Sequence, residues 1–205
     1  AAIASGEGKP NDRVYTTKGG FLGPLSRFKA ARYGVMPSSV DGAEPDHFLA
    51  LRCAFEALAD AGIPDRPLHR KRTGVILARG LYVNRGTLSW VSHGWAVDQV
   101  MAVIARLHPE LDGDTLADIK GDVKAALPPF NAEIVPGLVN SVMCGRIANR
   151  LDLMGPAYTI DAACASTLIA VENGMRELSS GRCDAVLVGG VQVSTPGPIH
   201  LLFSN

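Results

Sequence analysis

The chain has 205 residues, 20 basic and 20 acidic side chains for a formal net charge of zero, and 47% hydrophobic residues. That is enough apolar material for one globular core or for part of a larger one. The neutral balance argues against a nucleic-acid binder, and no stretch approaches the ~18 uninterrupted apolar residues of a membrane span.

Residues 1–40 are rich in Gly, Pro and Lys without a sustained period, and read as an irregular surface segment ahead of a unit spanning 41–205. From Pro45 the pattern changes. Phe48, Leu51, Phe55 and Leu58 fall on one face of an amphipathic helix, which Gly62 and Pro64 end. The basic cluster His69, Arg70, Lys71 and Arg72 reads as a solvated loop, and Thr73–Ala78 (TGVILA) after it is an apolar run of strand length. Two helices follow. The first is expected over 95–107, with Val100, Val103, Ile104 and Leu107 on one face; the second over 115–127, with Leu116, Ile119, Val123 and Leu127 aligned. Prolines stop both, at Pro109 and at Pro128–Pro129. A third helix lies between Pro136 and Leu151, where Cys144, Gly145 and Ala148 are small enough for another backbone to come close.

The last third is the most regular. Residues 158–162 read as a strand, 166–180 as a helix closed by Gly181, and 184–193 (DAVLVGGVQV) as a buried strand. Strand, helix, strand in that order predicts an α/β layered fold with a mostly parallel sheet. Gly189 and Gly190 let a neighbour approach the last strand. They belong to neither a phosphate loop nor a dinucleotide fingerprint.

The four cysteines, Cys53, Cys144, Cys164 and Cys183, form no CxxC pair and no Cys–His spacing that suggests zinc. Each sits among apolar or small residues, as reduced thiols do, so the cytoplasm is the expected compartment. Cys164 stands apart because it falls at a strand-to-helix turn. Cys164, Leu168, Val171, Met175 and Leu178 recur at helical spacing and predict a buried helix face, with Glu172 and Arg176 on the wetter side. A nucleophile on such a turn stands above the sheet edge, within reach of substrate. The N–H groups of the helix start aim at the same spot, where they stabilise a thiolate and supply half of an oxyanion hole. Ala162, Ala163, Ala165 and Ser166 leave room for a substrate chain. Judged on the turn alone, a buried structural cysteine is the commoner case.

The stretch from Asn149, NRLDLMGPAYTIDAACASTLIAVENGMRELSSGRCDAVLVGGV, resembles the N-terminal half of a β-ketoacyl synthase. These are the condensing domains of fatty-acid and polyketide synthases, within the thiolase superfamily. Upstream, EPDHFLALRCAFEALADAGI resembles the family's first long helix, and PPFNAEIVPGLVNSVMCGRIANRL the segment that feeds the active-site strand. GVMPSSVDGAEPDHFLAL is similar to large iterative or polyunsaturated-fatty-acid-type synthases.

The resemblance implies a layered thiolase-like fold of which this chain is the N-terminal half: one α/β repeat with a helical insertion. It implies that Cys164 is the acylated nucleophile, its backbone N–H also serving the oxyanion hole. Phe203 would then line the acyl tunnel near it, and Ile134 and Met143 would shape the far end; ordinary core packing competes with that role for all three. Also implied are an acyl carrier protein whose phosphopantetheine carries the chain, no directly bound cofactor or metal, and a homodimer formed through the strand at 158–162. The reaction implied is decarboxylative Claisen condensation of the Cys-bound acyl chain with malonyl-carrier protein. The family draws two histidines and a lysine from its remaining half. His47, His69, His93, His108 and His200 lie in none of the matching contexts, so catalysis is expected to need that half. Two alternatives stay open: another thiolase-superfamily acyltransferase, and a non-catalytic dimerisation or acyl-binding module.

Overall fold

The computed structural model describes residues 14–16, 18–63, 65–80, 84–128 and 130–204. Its centre is β1 (Thr73–Ala78), buried along all six residues. The neighbours are β2 (Ala157–Ile160) on one side and β3 (Ala185–Gly190) on the other, both parallel to it. A strand covered on both faces needs no polar alternation, which is why TGVILA reads as an unbroken apolar run. Its side chains still alternate in destination. Val75 and Leu77, with Leu187 of β3, enter a core shared with α1 (Pro45–Asp60) and α5 (Ser141–Leu151). Ile76 and Ala78, with Val186 and Val188, face α6 (Ser166–Ser179).

The α1 side is the thicker layer. Phe48 and Leu51 are fully buried there, Phe55 and Leu58 pack against them, and Met143, Cys144 and Ile147 of α5 complete the core. Gly62 ends α1 at a left-handed φ of 80°, with the Ile63 N–H returning to the Leu58 carbonyl at 2.9 Å. Pro64, the other expected stop, lies outside the described residues, as does Pro129. The segment before α1 is irregular, as expected, with short 3-10 turns at Gly23–Ser26, Ala30–Tyr33 and Pro37–Ser39. Most of its described residues are exposed, as a surface segment's are, but it is anchored to the core at two points. Tyr33 and Val35 are buried, and Tyr33 stacks on Phe28 (centroids 4.9 Å apart) beside Phe48.

Between β1 and β2 runs the helical insertion. It begins earlier than the expected 95–107: α2 (Arg85–Val91) is capped by Asn84 and passes through a π-helical turn at Ser92–Ala96 into α3 (Val97–Leu107). Asp112 caps α4 (Gly113–Ala125) by accepting the Thr115 N–H at 2.7 Å. Val100, Val103 and Leu107, read as a packing face, are exposed.

Other expectations are corrected. β3 is half-buried rather than buried, because it forms one edge of the sheet. The basic cluster before β1 is not merely solvated: Arg72 grips Asp184 through two hydrogen bonds of 2.8 and 2.9 Å, and Arg70 reaches the Leu151 carbonyl. Gly145 faces open space, so no backbone packs on it, whereas its neighbour Cys144 donates its thiol to the Tyr158 carbonyl at 3.0 Å.

The largest correction concerns α6. Cys164, Leu168, Val171, Met175 and Leu178 are all exposed, Leu168 at 76%. The face turned to the sheet is instead Ser166, Ala170, Gly174 and Glu177. Close approach decides this. A Cβ on Gly174 would stand 2.6 Å from Val188 Cγ2, so the helix rides on β3 along its small residues and leaves its long ones outside. α7 (Gly197–Leu202) follows β3 at the surface.

Candidate active site

Because Ala78 is level with both Ile160 and Gly190, the three parallel strands end together. The Arg79 N–H donates to the Ile160 carbonyl and the Val191 N–H to the Ala78 carbonyl, each at 3.0 Å, so the ladders run one residue past the strands. In open parallel sheets this carboxyl edge is where ligands bind. Here it carries a cleft of about 320 Å³ whose described lining includes Gly80, Ala163, Cys164, Thr167, Gly190 and Gln192.

Cys164 reaches that cleft from a tight turn. β2 ends at Ile160, a 3-10 turn covers Ala163–Ala165, and α6 starts at Ser166. Ala163, immediately before the cysteine, has φ of 50°, the left-handed region that costs an L-residue about 1–2 kcal/mol. Two side chains close around it. The Asp161 carboxylate accepts the Ala163 N–H at 3.0 Å, while the Ser166 hydroxyl accepts the Ala162 N–H and donates to the Ala163 carbonyl, both at 2.7 Å. The start of α6 has no side-chain cap, which leaves its dipole facing the cleft.

A second group of residues sets the walls. Arg79 is buried just beyond β1, its Nε 2.7 Å from Asp46 Oδ2 and its Nη2 3.4 Å from Glu44 Oε1. It also donates to Asn140, whose side-chain amide returns a bond to the Arg79 carbonyl at 3.3 Å. Asp46 in turn accepts the backbone N–H groups of Val193 (2.9 Å) and Ser194 (3.3 Å). One buried ionic knot thus ties together the start of α1, the segment after β1 and the segment after β3, and the last two both line the cleft. Burial holds the Glu44 carboxyl above its ordinary range. Beside it, burial and the Arg79 and Arg146 guanidiniums push buried His47 down to about 4, so that imidazole is neutral at pH 7.

Sequence reasoning missed both groups. Ser166 gave a weak signal, as a serine at a helix start with a free hydroxyl to cap or clamp. Arg79 gave a stronger one, a charge placed directly after an apolar strand with two acids at the head of an otherwise apolar helix. The other anticipated site residues lie elsewhere. Met143 is fully buried in the α1–α5 core, and Ile134 is buried in the 3-10 segment Ala132–Leu138, against α2 at Gly86. Phe203 is 68% exposed at the end of α7. None of the three is among the described residues lining the Cys164 cleft. His93 touches the Pro128 carbonyl at 2.7 Å and Phe130. Gly190 does admit a close neighbour, but that neighbour is the Thr167 side chain rather than a backbone. Among the described residues no His, Cys, Asp and Glu group is arranged to hold a metal ion, and no helix is long and apolar enough to cross a membrane.

Comparison with known proteins gives consistent matches. The family model described as β-ketoacyl synthase, N-terminal domain, matches residues 6–205. Mycoketide-CoA synthase of Mycobacterium tuberculosis is 31% identical over 94% of this chain and 4% of its own length. For the pikromycin polyketide synthase component PikAIII of Streptomyces venezuelae the figures are 31%, 94% and 10%. A polyunsaturated fatty acid synthase of Thraustochytrium is 31% identical over 95% of this chain and 7% of its own. In three dimensions, the oxazolomycin ketosynthase domain of Streptomyces albus superposes with a TM-score of 0.63 at 20% identity, covering 94% of this chain and 28% of that one. The module 6 ketosynthase of the Bacillus subtilis bacillaene synthase gives 0.61 at 22% identity, covering 90% and 25%. These likenesses establish the layered α/β thiolase-like half. The chain spans at most a tenth of these curated relatives and about a quarter of the ketosynthases it superposes on.

Proposed function

The chain belongs to the β-ketoacyl synthase family, matching its N-terminal domain, and from that premise we propose that it is the nucleophile-bearing half of a ketosynthase with Cys164 as the acylated residue. The observation that carries the reading is the placement of Cys164. It is an exposed thiol on a strained strand-to-helix turn, at the common carboxyl edge of three parallel strands, opening on a cleft.

In the proposed reaction the Cys164 thiolate attacks the carbonyl of an acyl thioester carried on the phosphopantetheine of an acyl carrier protein. A bond forms from Sγ to the carbonyl carbon, the old thioester bond breaks, and the carrier leaves as a thiolate that takes up the proton Cys164 released on ionising. The tetrahedral oxyanion accepts a hydrogen bond from the Cys164 N–H at the head of α6, where the helix dipole favours negative charge. Malonyl-carrier protein then loses carbon dioxide. The electron pair left on its α-carbon attacks the Cys164 thioester, expelling the thiolate and giving a 3-ketoacyl product. The groups that promote decarboxylation come from the remaining half of the ketosynthase or from a second chain, since none of the five histidines here stands in a matching context. Phe203, Ile134 and Met143 act at the acyl tunnel only once that half is in place. The free edge of β2 is the proposed homodimer seam. The cytoplasm is the proposed compartment, where the four free thiols stay reduced.

Intact-protein mass spectrometry tests this. The chain, alone and with its completing half, is incubated with an acyl-carrier-protein thioester beside a Cys164→Ala control. The expected result is one acyl adduct that the substitution abolishes. No adduct in the completed assembly would sink the reading and favour the non-catalytic module, for which the exposed apolar face of α6 already provides a binding surface.

A further inference from the structure

We infer that Ser166 is a positioning residue for Cys164, acting through the left-handed Ala163; this rests on Cys164 being the reacting group. The turn from β2 to α6 has only residues 161–165 in which to redirect the chain. It does so by placing Ala163 at φ 50°, a conformation that persists in an L-residue only where the surroundings over-determine it. Glycine, which holds this conformation without strain, is absent at the position. Something else must hold it.

Ser166 does. Its side chain is 6% exposed, and its one hydroxyl spans the turn, accepting from the Ala162 N–H and donating to the Ala163 carbonyl at 2.7 Å each. The first lies in the peptide between Asp161 and Ala162 and the second in the peptide between Ala163 and Cys164, so the hydroxyl pins both ends of the Ala162–Ala163 pair and sets the ψ of the strained residue directly. Bonds this short and shielded from water resist rotation of either peptide plane. The Ser166 proton is committed to the Ala163 carbonyl, and one lone pair to the Ala162 N–H. The hydroxyl therefore has no proton to give the thiol, which excludes a direct acid role and leaves orientation as its contribution. Asp161 adds a third bond, to the Ala163 N–H. It holds the peptide between Ala162 and Ala163 and cannot replace the serine, because it leaves the peptide that leads into Cys164 unheld.

The rate of Cys164 alkylation by iodoacetamide in the full chain tests the inference, read by peptide mass spectrometry. Exposed Cys53 on α1 serves as the internal reference in the same molecule. Ser166→Ala is expected to lower the Cys164-to-Cys53 rate ratio roughly tenfold or more, the scale on which misplacing a reacting group matters. Adding Ala163→Gly to Ser166→Ala should restore most of the loss, because glycine reaches the left-handed conformation unaided. Ser166→Thr keeps the hydroxyl and should stay within about threefold of the parent; it is measured even if Ser166→Ala does not fold. The inference is overturned if Ser166→Ala leaves the ratio unchanged, if the glycine brings no recovery, or if threonine is as damaging as alanine. Alkylation does not depend on acyl chemistry, so failure here is distinct from absence of the acyl adduct.

Discussion

α1 and α6 carry the same signal in sequence, an apolar stripe at helical spacing, and meet opposite fates. On α1 the stripe is buried: Phe48 is 2% exposed and Leu51 0%. On α6 it points outward, with Leu168 and Met175 at 76% and 62%. The difference lies in what each helix offers the sheet. α1 stands off behind α5 and needs long side chains to fill the gap, whereas α6 lies directly on β3 through Ala170 and Gly174. A helix that seats on its small residues has its large ones left over. Periodicity specifies that a face exists; the volume of the opposite face decides which one meets the sheet.

The comparison can be broken or sharpened by substitution. The largest effect is expected at the knot beneath the α1 layer. Arg79→Ala leaves Asp46 and Glu44 buried without their cation, which should cost about 3–5 kcal/mol of unfolding free energy by chemical denaturation. Leu51→Ala in the α1 stripe should cost about 2–5 kcal/mol by the same measurement.

The α1 side also predicts a pH dependence. His47 has a folded pKa of about 4 against an ordinary 6.5. The unfolded chain binds the extra proton, so this contribution is complete above pH 6.5, is lost as pH falls towards 4, and amounts to about 3 kcal/mol across that window. Parallel melts at pH 7 and pH 4.5 should show the loss, and His47→Leu should remove that part of the slope.

The smallest effect is expected at Leu168→Ala, within about 0.5 kcal/mol in this chain, since the side chain has little to lose. A cost equal to that of Leu51→Ala would end the contrast between the helices. A cost that appears only when the completing half is added would sharpen it, by showing that the α6 stripe is a core face awaiting its other side.

Much of the layout was legible because it is local. TGVILA coincides with β1, the α6 span differs by one residue at its end, and Cys164 stands on the expected turn. What escaped is tertiary. Arg79, Glu44, Asp46 and Asn140 are scattered over nearly a hundred positions, and only the shared end of the strands brings them together. The helix from Arg85 was hidden because Gly86, Gly94 and the two tryptophans disturb the apolar period, and a π turn shifts its phase. The clamp on Ala163 was unreadable because no sequence rule asks an alanine to adopt a glycine's conformation.

The burial of Cys144 and Cys183 has a consequence for oxidative chemistry. Burial pushes the Cys144 thiol up to about 11 and raises Cys183 as well, so both are almost wholly protonated at neutral pH and closed to peroxide. An oxidant meeting the native chain finds two thiols, Cys53 and Cys164, where the composition offers four. Damage is therefore confined to these two exposed thiols, one of them where the acyl group is proposed to sit, and leaves the core sulfurs untouched, so a chain over-oxidised at Cys164 would keep its fold while losing its capacity to load.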